Sequence, residues 1–122
     1  MSDLCDKTAV ELRRLIGRKD ISPVELLDSC IARIEATDSA LNALVTRSFD
    51  RAREEAINAE KAVLDGEELG LLHGLPVGIK ELEATDGIRT TLGSQLYANH
   101  VPNKDQGSVA NIRAEGGIVI GK

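Results

Sequence analysis

Leu75-Pro76-Val77-Gly78-Ile79, followed at once by Lys80, is a short apolar run that reads as a buried strand entered through a proline. Ile118-Val119-Ile120 reads as a second buried strand. Between them, Asp86-Gly87 and Leu92-Gly93-Ser94 are turn signals. Asp105 to Glu115 has the pattern of a short helix, with Val109 and Ile112 inward and Gly116-Gly117 ending it. The order strand, long loop, helix, strand predicts a crossover between strands of one sheet, and hence an α/β fold.

Upstream the pattern is helical. Thr8-Ala9-Val10-Glu11 has the form of a capping box, and Ala9, Leu12 and Leu15 with Ile16 repeat at helical spacing, with Gly17 placed to end the helix. Ser22-Pro23-Val24-Glu25 is a stronger start, with a capping hydroxyl, a proline at the first helical position and a glutamate to close the box. Val24, Leu27, Ile31 and Ile34 then form one apolar stripe. Ala43 to Thr46 is expected to be extended. A third helix is predicted from about Ser48 to Asp65, with Phe49, Ala52, Ala56, Ala59 and Val63 inward and Gly66 closing it. Residues 1–66 thus read as a helical region, and residues 67–122 as the first part of an α/β core.

The all-apolar Ile118–Ile120 run suits a strand covered on both faces. Three helices and two or three strands are expected to cover such a sheet poorly. The sequence stops two residues later, so the domain is expected to be interrupted after Lys122.

The 122 residues carry a net charge of −5, with 42% apolar and 29% charged side chains. No Lys/Arg block marks a nucleic-acid footprint, and Phe49 and Tyr97 are too few to stack bases, so no direct nucleic-acid binding is expected. No segment approaches the apolar length of a bilayer span, and Met1–Val10 holds no apolar stretch that could serve as a signal. A cytoplasmic location is expected. Cys5 and Cys30 lack CxxC spacing and read as reduced thiols packed as small hydrophobes. With two His also far apart, no metal site is expected, and no cofactor.

Lys80 is the residue with two readings. One is a snorkelling side chain whose ammonium reaches water. The other is a desolvated amine that serves as a base, able to activate a nearby serine without histidine. Spacing alone does not choose. His73 reads as part of a turn before the strand. Thr90, Thr91 and Ser94 read as satisfying loop backbone, and Asp105 as a helix cap. The pairs Glu54-Glu55 and Glu67-Glu68 read as solvated surface.

The run Gly70-Leu71-Leu72-His73-Gly74-Leu75-Pro76-Val77-Gly78-Ile79-Lys80 resembles the segment that carries the catalytic lysine of the amidase signature family. Gly87-Ile88-Arg89-Thr90-Thr91-Leu92-Gly93-Ser94 resembles the family's Gly-x-x-Thr-Thr-x-Gly-Ser turn. Val101-Pro102 through Asp105 resembles its Pro-x-x-Asp step. Arg113 to Lys122 resembles its Arg-x-Ala-Gly-Ala-x-x-x-Gly-Lys stretch. Ser22-Pro23-Val24-Glu25 and Ala32-Arg33-Ile34-Glu35 are similar to its helical entry. These pieces cover nearly the whole chain, in order. Two positions depart from the pattern. Glu81 stands where the family usually has Asp, which is expected to disturb hydrogen bonds at the strand end. Glu115 and Gly117 stand where small residues flank the Ala-Gly-Ala.

The resemblance implies N-terminal helices and the first strands of a mixed-sheet fold. It also implies an amide hydrolase with a Ser–cis-Ser–Lys triad, of which only the lysine maps here, at Lys80. Ser94 and Ser108 lack the glycine-rich context of the family's serines. The chain as written is therefore expected to hydrolyse no amide. The reading frame is expected to continue past Lys122 into a Thr-Asn and a Gly-Gly-Ser-Ser-Gly-rich run. The expected partner is a small-molecule amide, and a homo-oligomer of the full-length protein stays open. One alternative is the A-type (amidase) subunit of a glutamine-dependent aminoacyl-tRNA amidotransferase. Another is a non-catalytic interaction module with a surface lysine.

Overall fold

The computed structural model describes residues 3–122. Its elements are a 3-10 turn Leu4–Asp6, α1 (Ala9–Gly17), α2 (Pro23–Leu41), α3 (Phe49–Leu64), β1 (Pro76–Gly78), a second 3-10 turn Gln95–Tyr97, α4 (Gly107–Ala114) and β2 (Ile118–Gly121).

Local side-chain chemistry starts the first two long helices. Thr8 Oγ1 accepts from Glu11 N at 3.2 Å, and Glu11 Oε2 accepts from Thr8 N at 2.8 Å. Ser22 and Glu25 repeat the exchange at 3.0 and 2.8 Å ahead of Pro23. Each box satisfies two amides that a helix start leaves unpaired. The first helix ends at Gly17, as its sequence predicts. Gly17 is its last residue, and the left-handed conformation falls two residues later, at Lys19 with φ 63°.

β1 and β2 pair in parallel, with Pro76 opposite Ile118 and Val77 opposite Val119. The connection runs through the long loop and α4, as expected of a crossover. On the other edge of β2 the chain arrives antiparallel: Val45 N donates to Lys122 O and Lys122 N to Thr46 O, both at 2.8 Å, and Arg47 bridges Gly121. The two-stranded sheet is parallel, with one isolated antiparallel bridge at its β2 edge, and the fold is α/β. Gly121 is needed at this junction, because a Cβ there would sit 2.4 Å from Thr46 O. Ser48 finishes the approach by donating from its amide to Ile120 O at 3.0 Å and from Oγ to Val119 O at 3.1 Å.

Side-chain alternation along β2 explains where the core sits. Ile118 and Ile120 face Leu27 and Ile31 of α2 and the alanines 52, 56 and 59 of α3. Val119 faces Ile79, Ile88 and Val109. Every residue of β2 is buried by this chain's own elements, which corrects the expectation of poor cover. Each buried aliphatic side chain contributes about 1.5–3 kcal/mol. The alanine stripe lets α3 approach both α2 and the strand closely. A second cluster joins Leu12, Ile16, Leu26, Val63 and Leu75. Leu26 lies outside the single stripe read from sequence, so α2 buries two faces rather than one. Both clusters combine residues from before and after residue 66.

Asp38 turns the chain at the end of α2. Asn42 takes the left-handed conformation at φ 51°. Asp38 Oδ1 accepts from Ala43 N at 2.7 Å, and Oδ2 meets Arg47 Nη2 at 3.1 Å. These bonds aim residues 43–47 at β2. They also hold the Asp38 carboxyl below its ordinary value, the Ala43 amide contributing most, with burial opposing.

Candidate functional site

Lys80 follows β1 directly. Ile79 is buried and its amide donates to Gly121 O at 3.0 Å, which fixes the strand end. The Lys80 carbonyl accepts from Glu83 N at 3.0 Å, which starts a turn. The Lys80 side chain is exposed, and its ammonium has no hydrogen bond or ion pair among the described residues. It borders an open cavity of about 400 Å³, which Leu44, Val45, Gly78, Glu81 and Lys122 also line.

Glu81 is not a disturbance. Its Oε1 accepts from Thr91 Oγ1 at 2.8 Å and also from Thr91 N. The longer acid ties the strand end to the 87–94 loop. Thr91 Oγ1 in turn accepts from Gly93 N at 3.2 Å. The second carboxylate oxygen, Oε2, is buried without a partner.

Lys122 is the residue that sequence reading passed over. Its side chain is only 5% exposed. Nζ donates to Thr85 Oγ1 at 2.7 Å and to the Glu83 carbonyl. Burial pushes its ammonium below the ordinary lysine value, while Glu81, Glu83 and Asp105 pull it up. The signal was present in the sequence: a lysine at the end of an apolar strand, like Lys80. The two differ in fate, one exposed and one enclosed.

The remaining polar residues take structural positions. His73 Nε2 lies 2.9 Å from the Ala59 carbonyl. Ser94 Oγ accepts from Leu96 N at 3.3 Å, and Ser108 Oγ donates to Glu83 Oε2 at 2.8 Å. Neither serine lines the cavity at Lys80. Asp105 is not a helix cap, since Gln106 holds that position. Instead Asp105 Oδ1 accepts from Asp86 N at 2.7 Å, and Oδ2 lies 3.1 Å from Arg113 Nε, tying the loop to α4. Glu55 is not free surface either: it meets Arg51 at 3.0 Å and Arg113 at 3.3 Å. Among the described residues no three His, Cys, Asp or Glu side chains gather as a metal site. No helix there is long and apolar enough to cross a membrane.

The Amidase family model matches residues 25–122. The A subunit of the Glutamyl-tRNA(Gln) amidotransferase of Geotalea daltonii is 38% identical over 120 residues, which are 98% of this chain and 24% of that protein. A bacterial aryl acylamidase belonging to the amidase signature enzymes matches in structure with a TM-score of 0.87 at 32% identity, over 94% of this chain and 24% of its own. A fatty acid amide hydrolase matches with a TM-score of 0.92, over 98% of this chain and 21% of its own; at 21% identity that likeness speaks to the fold alone. The chain thus spans about a quarter of the length of the relatives it matches.

Proposed function

The chain belongs to the amidase signature family, and we propose that it supplies the lysine base, Lys80, of a Ser–cis-Ser–Lys amide hydrolase. The observation that carries this reading is the way Lys80 is held. Ile79 pins the strand end to β2, Glu81 pins the following residue to Thr91, and only the side chain between them is free to face the cavity. A base must be presented at a fixed point while its reacting atom stays available.

In this reading the amine of Lys80 takes the proton of a bridging serine, which takes that of a nucleophilic serine. The serine oxygen attacks the amide carbonyl, the amine or ammonia leaves, and water releases the acyl group. Backbone amides of a glycine-rich loop hold the oxyanion. Burial disfavours an ammonium relative to the neutral amine. The exposed Lys80 therefore needs cover from the substrate and from the part of the protein beyond this quarter. Both serines also belong to that part. Residues 1–66 act as the helical support and residues 67–122 as the first part of the α/β core. The substrate is a small amide, and the protein works in the cytoplasm. Ammonia release from a panel of small amides, L-glutamine included, tests the reading on the whole protein. Release of ammonia from at least one of them is expected, and none from any would remove the hydrolase.

A second reading is favoured by the amidotransferase relatives, which match 98% of this chain. In it the protein is the amidase component of a glutamine-dependent tRNA amidotransferase and hands ammonia to a partner. Glutamine hydrolysis that rises on adding co-purified partner proteins and charged tRNA supports this reading. Hydrolysis of other amides by the isolated protein, indifferent to partners, supports the first.

A further inference from the structure

We propose that Cys5 and Cys30 are a redox pair: a low-molecular-weight disulfide converts them to an intramolecular disulfide that pins the N-terminal turn to α2. The sequence separates these thiols by two helix starts. The fold brings them together, with Sγ atoms 3.6 Å apart and both residues half-buried.

The approach is held by contacts independent of sulfur. Asp3 Oδ1 accepts from Cys5 N at 3.4 Å and from Ser29 Oγ. Arg33 Nη2, one turn beyond Cys30 on α2, pairs with Asp3 at 3.0 Å and Asp6 at 3.2 Å. Cys5 Sγ also lies 3.4 Å from Ser29 Oγ. The turn Leu4–Asp6 is thus docked on α2 through residues on both sides of the two thiols. A disulfide is about 2.05 Å long. The sulfurs need to close by little more than a side-chain adjustment, with no element moving.

The chemistry is ordered. Burial, then the neighbouring Cys5, push the Cys30 thiol up to about 12. Cys30 is therefore the poorer first nucleophile. The Cys5 thiolate attacks one sulfur of the small disulfide, forms a mixed disulfide and releases one small thiolate. With Cys5 uncharged, Cys30 loses that opposition to ionising. Its thiolate attacks the Cys5 sulfur and expels the second small thiolate. Two protein thiols are oxidised, one small disulfide is reduced to two thiols, and the two protons pass to those thiols.

The test treats the 122-residue chain with oxidised glutathione and reads intact mass, titratable thiols under denaturing conditions and mobility on a non-reducing gel. The expected product is a monomer lighter by two hydrogens, with no titratable thiol, restored by dithiothreitol. Its melting temperature rises by about 10 °C on oxidation, from the closed loop between the two cysteines. In Cys30→Ser, the glutathione adduct is expected to persist on Cys5. Stable glutathione adducts on both cysteines of the unsubstituted chain would overturn the proposal. So would two thiols still titratable after treatment, or a disulfide-linked dimer.

Discussion

Glu81 and Thr91 are bonded twice through a single oxygen: Glu81 Oε1 accepts from both the amide and the hydroxyl of Thr91. This contact couples the residue after Lys80 to the 87–94 loop. Glu81→Ala leaves the Thr91 donors unpaired and is expected to cost about 1–3 kcal/mol. Glu81→Asp, a methylene short of Thr91, is expected to fall between Ala and the natural residue. Urea unfolding of the three proteins checks the order; an alanine variant as stable as the unsubstituted chain would remove the coupling.

Asp38 contributes to the loss of stability in acid. Its carboxyl is held below its ordinary value by the Ala43 amide and Arg47. A depressed folded value means that the unfolded chain binds the proton first. The stabilisation is complete above the unfolded value and is lost as pH falls through the folded one, below about pH 4. Asp38→Asn is expected to be less stable at pH 7 and to lose less on acidification. Thermal melts across that range check this, and parallel curves for the two proteins would contradict it.

Lys122 shifts stability in the same direction as Asp38, but in the alkaline range. Burial lowers its folded value from 10.5. The unfolded chain then holds the proton where the folded one has released it, so stability rises with pH as pH climbs through the folded value towards 10.5. Lys122→Met, which fills the same space without charge, has no such rise. The stability difference should move in favour of the natural lysine at alkaline pH, and denaturant melts of both proteins across that range check it. Lys122→Ala removes the ammonium's bonds to Thr85 Oγ1 and the Glu83 carbonyl, which keep only their bond to each other, and is expected to cost about 1–3 kcal/mol at neutral pH.

Helix starts were legible because their chemistry is local: Thr8 with Glu11 and Ser22 with Glu25 sit three residues apart and exchange bonds within one turn. The two strands and their crossover were legible from short apolar runs bounded by glycine and proline. The strand-end position of Lys80 followed from them. Contacts between distant residues were not legible. Asp38 reaches Arg47 only after a left-handed Asn42 reverses the chain. Asp105 does not cap the helix it precedes; it holds Asp86 and, from the side, Arg113 within that helix. The cover of β2 was misjudged because Leu26 gives α2 a second buried face and because the 85–90 loop supplies Ile88 to the far side. Lys80 and Lys122 look alike in sequence; what separates them is Thr85 and the Glu83 carbonyl, which the fold brings to only one.

Whether Lys80 is the base of an amide hydrolase is tested most directly by the kinetics of ammonia release. The whole protein is assayed carrying Lys80→Met or Lys80→Arg, with folding verified by circular dichroism. A fall in kcat/KM on the order of 10²–10⁴-fold is predicted for both, since neither side chain supplies a neutral amine. Folded variants that hydrolyse the amide as fast as the unsubstituted protein would contradict the assignment.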